Sequence, residues 1–151
     1  MSPTRRPVTL AEVGVDVTDI VIDPISAVPI YQQIRDRVVE LIASGQLREG
    51  DSLASVRRLS SAFGINPATV VRAYDALGVD GFVRTNRRSG TVVARDPSYD
   101  ISVVDLTQWR ARLHTLLAEA HAQGLPVEVV LQECARSTAA FEGNVIVTEG
   151  D

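Results

Sequence analysis

The chain has 151 residues, of which 45% are hydrophobic and 23% charged, and its formal net charge is -4. This length accommodates one ordinary domain with an appendage, and no apolar stretch approaches the roughly 18 residues that a membrane span needs. The first residues, Met-Ser-Pro-Thr-Arg-Arg, lack the apolar run of a signal peptide, and the single Cys134 excludes a disulfide framework within the chain. We therefore expect a cytoplasmic, nucleoid-associated protein with no membrane partner.

The charges are distributed unevenly along the chain. Residues 24–97 contain ten arginines and seven acidic residues, a net charge of +3, whereas residues 1–23 carry -2 and residues 98–151 carry -5. All 15 basic residues are arginine, which suits bidentate contacts to guanine or phosphate but also follows from a G+C-rich coding bias. We therefore expect residues 24–97 to bind any nucleic-acid partner, and the acidic remainder of the chain to limit binding to nucleic acid that does not depend on sequence.

Residues 1–25 are an N-terminal extension whose role the sequence does not define. An alternating apolar run from Val13 to Asp23 is compatible with a short strand, and Arg5 and Arg6 leave open an arm that touches DNA. Pro29 is expected at the first position of the helix that follows. The apolar stripe of that helix is predicted to support the next helices and consists of Ile30, Ile34, Val38, Leu41 and Ile42.

A helix-turn-helix is predicted over about residues 55–74. Ser55 is suited to cap the first helix, Gly64 to end it in a left-handed conformation, and Asn66 with Pro67 to begin the second. Apolar residues recur at helical spacing in both helices, at Val56, Leu59 and Phe63 and then at Val70, Ala73, Tyr74 and Leu77. Each helix therefore has one apolar face and one solvent face.

The solvent face of the second helix, residues 67–79, is suited to enter the major groove of DNA. Ala68 is small enough to let the backbone approach the duplex, and Thr69 and Arg72 offer polar groups to phosphates or base edges. Val71 and Asp75 share this face. Arg57 and Arg58 lie at the start of the preceding helix, which in this geometry crosses the sugar-phosphate backbone.

A basic hairpin is predicted over about residues 82–94. The short strand-like runs Phe82–Arg84 and Thr91–Ala94 flank a polar tip from Thr85 to Gly90, which contains Arg87, Arg88 and Ser89. An A·T-rich minor groove attracts arginine, so this tip is interpreted as a DNA-binding wing. A solvated charged loop is the alternative.

The stretch from Pro29 to Ala94 resembles the winged helix-turn-helix domain of the GntR family of bacterial transcription regulators. The resemblance is carried by Pro29-Ile30-Tyr31-Gln32-Gln33-Ile34, by the turn from Ser44 to Asp51, and by Leu53-Ala54-Ser55-Val56-Arg57. The last of these departs from the family's Leu-Pro-Ser-x-Arg element only at Ala54. The resemblance implies a DNA-binding domain over residues 26–97, with Arg57 on DNA, Thr69 in the recognition helix and Gly90 allowing the wing a close approach.

The segment from Asn66 to Tyr74 resembles the small YtrA-like branch of that family. Many other members carry arginine where this chain has Pro67 and Val71, so their arginine contacts do not transfer, and Arg72 is the replacement candidate. The complete set of predicted DNA contacts is Ser55, Arg57, Arg58, Asn66, Pro67, Ala68, Thr69, Arg72, Arg87, Arg88, Ser89 and Gly90.

Residues 98–143 are predicted to form two amphipathic helices, and residues 144–151 a tail. Asp96-Pro97-Ser98 has the chemistry of a turn, and Leu106, Trp109, Leu113, Leu116 and Ala120 follow at spacings of three and four. Gly124 is expected to close the first helix and Pro126 to open the second. The second apolar face comprises Val127, Val130, Leu131, Cys134, Ala135 and Phe141, with Cys134 expected to behave as a small core residue.

Two helices cannot enclose a core of their own, so each must bury its stripe against another surface. A second copy of the pair is the economical partner, and the YtrA-like resemblance implies a helical tail that serves dimerisation; packing against the winged domain is the alternative. Any effector pocket is expected to be small and to lie at the dimer seam around Trp109 and Phe141. The predicted dimer contacts are Leu106, Trp109, Leu113, Leu116, Val130, Leu131 and Phe141.

The predicted fold is mainly α with a small β-hairpin, an N-terminal winged helix-turn-helix followed by a short two-helix dimerisation region. The predicted function is a sequence-specific DNA-binding regulator, a homodimeric repressor on a palindromic operator. A protein or RNA adaptor is the alternative, but it does not need Arg57, Arg72, Arg87 and Arg88 on one surface. No enzyme, cofactor or metal site is predicted, because the chain has no Gly-rich phosphate loop and His114 and His121 lack neighbouring acidic ligands.

Overall fold

The computed structural model describes residues 21–94 and 106–142. The chain divides into two compact units, Met1–Pro97 and Ser98–Asp151. The strand considered between Val13 and Asp23 lies largely outside the described residues, and residues 21–23 form no regular structure. Arg5, Arg6 and the tail 144–151 also lie outside them.

The secondary structure has the predicted content of helices with one small hairpin. The first unit contains α1 (Ile30–Ala43), α2 (Val56–Phe63), α3 (Pro67–Val79), β1 (Val83–Asn86) and β2 (Gly90–Val93). The second contains α4 (Leu106–Ala122) and α5 (Val127–Glu142). β1 and β2 pair antiparallel, with Val83 opposite Val93 and Asn86 opposite Gly90. The predicted fold, mainly α with a β-hairpin, is confirmed.

Two helices begin one residue later than predicted. Pro29 precedes α1 with a ψ of 145°, which is outside the helical range, and its carbonyl accepts the N–H groups of Gln32 and Gln33. Pro126 likewise precedes α5, and its carbonyl accepts the Val130 N–H at 3.1 Å. Proline lacks an N–H and fixes φ, so it fits the residue before a helix as well as the first residue within it.

The core of the first unit lies between α1, α2, α3 and the hairpin. Every one of these elements contributes fully buried side chains to the core. The loop after α1 also contributes, because Leu47 in that loop is 0% exposed. Ile30, Val56 and Phe63 are only partly buried at its edge. The buried core residues predicted from helical spacing are Ile34, Val38, Leu41, Ile42, Leu59, Val70, Ala73, Tyr74 and Leu77.

The segment that leads into α2 lies beside β2 and is joined to it by backbone hydrogen bonds and an isolated bridge, next to the two-stranded sheet. The Leu53 N–H donates to the Thr91 carbonyl, and the Val93 N–H to the Asp51 carbonyl, both at 2.8 Å. Ser52 forms an antiparallel bridge with Val92. This pairing attaches the hairpin directly to the chain that begins the helix-turn-helix, so the position of the hairpin is fixed relative to α2.

The second unit is a pair of helices that contact each other but bury little. Gly124, with a φ of 80°, follows α4 in a left-handed turn, and the Leu125 N–H donates to the Ala120 carbonyl at 3.0 Å. None of the described side chains of α4 or α5 is buried. Cys134 is exposed, which corrects its expected place in a core, because two helices alone cannot enclose one.

Candidate nucleic-acid interface

The turn between α2 and α3 has the predicted capping geometry. The Ser55 hydroxyl accepts the Arg58 N–H at 3.2 Å, and Gly64 ends α2 with a φ of 63°. The Asn66 Oδ1 atom then accepts the Ala68 N–H at 2.9 Å, and Pro67 is the first residue of α3. Because backbone groups at both helix ends find partners, the turn fixes the direction in which α3 leaves α2.

A buried hydrogen bond links α3 to the segment before α2. The Tyr74 hydroxyl donates to the Ala54 carbonyl at 2.7 Å, and Tyr74 is 8% exposed. Burial raises the pKa of the Tyr74 phenol, so the side chain remains a neutral donor at physiological pH. Helical spacing predicted Tyr74 on the apolar face. Its partner, 20 residues away, is the alanine that replaces the family's proline.

The exposed face of α3 combines small apolar side chains with one stacked arginine. Ala68 and Val71 are exposed, and Val71 retains 42% of its accessible surface despite being a large hydrophobic residue. Thr69, predicted on the solvent face, is half-buried. The Arg72 guanidinium lies over the ring of Tyr31 in α1, with 3.9 Å between its central carbon and the ring centroid. This face therefore offers methyl groups and a planar cation.

The tip of the hairpin is shorter than predicted. Thr85 and Asn86 belong to β1 and Gly90 to β2, so only residues 87–89 connect the strands. A polar residue such as Thr85 is typical of a hairpin tip, but here it belongs to a strand. In the structure its hydroxyl lies 2.9 Å from that of Thr91 across the strands, and such cross-strand pairs stabilise a hairpin.

Asn86 organises the tip and was not among the predicted site residues. Its Oδ1 atom accepts the N–H groups of Arg88 at 3.1 Å and Ser89 at 2.6 Å, and the Ser89 hydroxyl at 2.7 Å. Asparagine before a polar turn is a recognised signal for such a side chain to backbone contact. Gly90 follows with a φ of 68°. Asn86 thus fixes the backbone of the tip, and the side chains of Arg87 and Arg88 are exposed.

Four exposed arginines flank the start of α3 in the chain and have no acidic partner among residues 21–94 and 106–142: Arg57, Arg58, Arg87 and Arg88. The two arginines of α1, in contrast, do have acidic partners. Arg37 contacts Glu40 at 2.7 Å, and Arg35 contacts Asp36 and Asp80. Cations without an intramolecular partner are suited to phosphate, because binding releases counterions from DNA without breaking an ion pair in the protein.

Arg35 joins α1 to the end of α3. Its guanidinium contacts Asp80 at 2.8 Å and Asp36 at 3.0 Å and lies 5.7 Å from the centroid of the Phe82 ring. Burial disfavours the charged form, but the hydrogen bonds to Asp80 and Asp36 outweigh it and raise the pKa of Arg35. Asp80 caps α3 and Phe82 precedes β1, so Arg35 has a structural role in positioning the hairpin.

The predicted DNA contacts lie on three consecutive parts of the first unit: the start of α2, the start of α3 and the tip of the hairpin. All twelve are exposed except the half-buried Thr69.

The predicted dimer contacts lie in the second unit, where Leu113 and Val130 are half-buried and the others exposed. The described ranges contain no group of three His, Cys, Asp or Glu residues able to hold a metal ion, and none of their helices is long and apolar enough to cross a membrane.

Comparison with known proteins identifies a family match on the first unit and relatives whose matches are longer than that segment. Residues 30–93 match the model of the bacterial regulatory proteins of the gntR family. The HTH-type transcriptional repressor YtrA of Bacillus subtilis is 36% identical over 122 residues, which cover 81% of this chain and 94% of the relative. Among solved structures, YtrA from Sulfolobus acidocaldarius, described as a GntR-family transcription factor, is 38% identical with a TM-score of 0.53, and the match covers 66% of this chain and 97% of that one.

A further solved structure extends the agreement in fold. The transcriptional antiterminator from Listeria monocytogenes EGD-e has a TM-score of 0.71 at 28% identity, and the match covers 83% of this chain and 95% of that chain. The family match falls on α1, α2, α3 and the hairpin, which contain the capped turn and the unpaired arginines described above. The chain belongs to the GntR family of bacterial regulatory proteins and is a DNA-binding transcriptional regulator.

Proposed function

We propose that the protein is a homodimeric repressor that binds a palindromic operator through the recognition helix, residues 67–79, and the wing, residues 85–90. The observation that carries this proposal is the arrangement of the first unit. An exposed helix start with small side chains is preceded and followed in the chain by exposed arginines that have no acidic partner within the described part of the chain. A surface built this way attracts a polyanion and lets the helix backbone come close to it.

The elements have different tasks in this complex. The start of α3 enters the major groove, where Ala68, Val71 and Arg72 face base edges. Arg57 and Arg58 at the start of α2 contact the sugar-phosphate backbone. Arg87 and Arg88 at the tip enter the adjacent minor groove, whose negative potential is strongest where it is narrow. Affinity then comes mainly from the arginines and sequence preference mainly from α3.

The second unit supplies the dimer contact. Large apolar side chains on α4 and α5 are exposed in the single chain, including Trp109 at 54% and Leu131 at 63%. In α4 these side chains recur at spacings of three and four, which places them on one face of the helix, and an exposed apolar face is typical of a surface that is covered in an assembly. Two-fold pairing presents two copies of α3 to half-sites about 34 Å apart, the separation of one turn of DNA.

Repression is proposed from the similarity to the YtrA repressor of Bacillus subtilis. A dimer on an operator that overlaps a promoter blocks access of RNA polymerase, and this chain needs no activation surface to act in that way. Any effector is proposed to bind at the dimer seam around Trp109 and Phe141, where it would change the separation of the two recognition helices.

Selection of bound genome fragments with the purified full chain at near-physiological salt tests the proposal. We expect enrichment of a short palindrome, together with a dimer mass by light scattering. A variant with alanine at Arg57, Arg87 and Arg88 serves as the matched control, because these exposed side chains carry no ion pair that stabilises the described fold. Enrichment no greater than with this variant would refute the proposed operator binding.

A further inference from the structure

Tyr31 is an unexpected neighbour of the recognition helix. It lies in the first turn of α1, is half-buried, and packs at the edge of the core. The Arg72 guanidinium stacks over the Tyr31 ring, with 3.9 Å between its central carbon and the ring centroid. The two residues are far apart in the chain, so the packing of α1 on α3 creates this pair.

Stacking restricts an arginine without using its hydrogen-bond donors. The guanidinium is planar, and its N–H groups point outward in that plane. The Tyr31 ring covers one face of the plane, so the donors at the edge stay available to another group. A guanidinium held in this way is preorganised for two parallel hydrogen bonds, and less conformational entropy is lost when they form.

The other polar side chains at the start of α3 are less able to recognise a base. The Asn66 carboxamide oxygen accepts the Ala68 N–H in the helix cap, and Thr69 is half-buried. Arg72 is exposed, and among residues 21–94 and 106–142 it has no acidic partner to compete for its donors. Its donor edge matches the O6 and N7 acceptors of guanine in the major groove.

We propose that Tyr31 is a positioning residue for DNA recognition, which holds Arg72 so that Arg72 reads one guanine in each half-site. The inference rests on the proposed function, in which α3 occupies the major groove. It assigns specificity to a residue of α1, a helix whose remaining role is structural.

The test uses the operator obtained by selection and the full-length protein. Each guanine of a half-site is replaced in turn by 7-deazaguanine, which keeps base pairing but removes the N7 acceptor. Binding is compared for the wild type, Tyr31→Phe, Tyr31→Leu and Arg72→Ala. Phenylalanine keeps the ring and serves as the matched control, whereas leucine keeps apolar volume but removes the ring. Tyr31→Met replaces the leucine variant if that variant does not fold, because methionine fits irregular spaces.

We expect the wild type and Tyr31→Phe to lose about fivefold or more in affinity at one guanine. Arg72→Ala should bind weakly and show no dependence on that N7 atom. The ring-less variant should keep its melting temperature and its affinity for random duplex but lose most of the N7 dependence. A merely structural role for Tyr31 would not remove this dependence selectively.

Three results would overturn the inference. One is full N7 dependence in the ring-less variant, and another is a loss of affinity in Arg72→Ala that is equal for operator and random duplex. The third is the absence of any guanine with N7 dependence in the wild type. In each case an enriched operator would leave the proposed function standing, whereas failure of the selection itself would remove both.

Discussion

At the scale of single residues, Arg57 illustrates a cation that the fold leaves free for phosphate. It is exposed in the first turn of α2 and has no acidic partner within residues 21–94 and 106–142. Arg57→Ala should weaken binding to operator and to random duplex by a similar factor. The slope of log K against log salt should also become shallower by about one, because one phosphate contact is lost. Titrations at several salt concentrations measure both effects.

Arg37→Ala is the matched control for this experiment. Arg37 is also an arginine at a helix surface, but it contacts Glu40 within α1. An exposed ion pair of this kind contributes little to stability, so the variant should fold and bind as the wild type does. An unchanged salt slope for Arg57→Ala, or an equal change for Arg37→Ala, would contradict the assignment of Arg57.

Val71 gives a second prediction, which concerns thymine. It retains 42% of its surface on α3, one turn after Pro67, and thymine is the base that displays a methyl group in the major groove. Replacing one operator thymine by uracil removes only that methyl group. We expect about a fourfold loss of affinity, the effect of burying one methyl-sized group, and no such loss with Val71→Ala.

Val79→Ala supplies the comparison for Val71. Val79 is the last residue of α3 and is 88% exposed, so its truncation also removes methyl groups from the surface of the same helix. This variant should keep the full dependence on the thymine methyl group. If the uracil substitution costs the same in Val71→Ala as in the wild type, Val71 does not face that base.

At the scale of secondary-structure elements, the Tyr74 to Ala54 hydrogen bond connects α3 with the chain before α2. Burial raises the pKa of the phenol above the unfolded value of about 10. The folded state therefore favours the protonated form. This contribution to stability is complete below about pH 10 and decreases as the pH rises toward the higher native pKa.

Tyr74→Phe tests this link. It should cost about 1 kcal/mol at neutral pH, because a buried carbonyl loses its donor, and it should remove part of the alkaline loss of stability. Urea unfolding of both proteins between pH 7 and pH 11 measures the effect. The stability curves should converge as the pH rises, and parallel curves over that range would show that Tyr74 does not titrate with unfolding.

The elements also indicate what the sequence was able to predict. The ends of α2 and α3 were predictable because Ser55, Gly64 and Asn66 act on backbone within four residues of themselves. The extended pairing of residues 51–53 with β2 was not, because its partners lie about 40 residues further along the chain. The stack of Arg72 on Tyr31 depends likewise on how α1 packs, and no local pattern encodes that packing.

At the scale of the whole molecule, the two units differ in both charge and burial. The first unit, residues 1–97, carries +1, with +3 on residues 24–97, and contains the packed core. Residues 98–151 carry -5, and the described side chains of α4 and α5 are not buried. An acidic unit is disfavoured on DNA by repulsion. This division of charge suits a molecule in which one unit binds the operator and the other unit binds a second copy.

Trp109→Glu tests this division of roles. Trp109 is 54% exposed in the single chain, so a glutamate there should leave the fold of the monomer intact but place a charge in the proposed dimer contact. Ala118→Glu adds the same charge to α4 outside the apolar stripe and serves as the control. Light scattering over a range of concentrations should give monomers for the first variant and dimers for the second.

Operator binding should follow the change in assembly. A dimer that occupies both half-sites gains affinity because its second contact is intramolecular, and this gain is on the order of 100-fold or more. Trp109→Glu should therefore lose about that factor on the palindrome but bind an isolated half-site as the wild type does, since the first unit is unchanged. A variant that remains dimeric, or that binds the palindrome normally as a monomer, would show that α4 and α5 do not join two recognition helices.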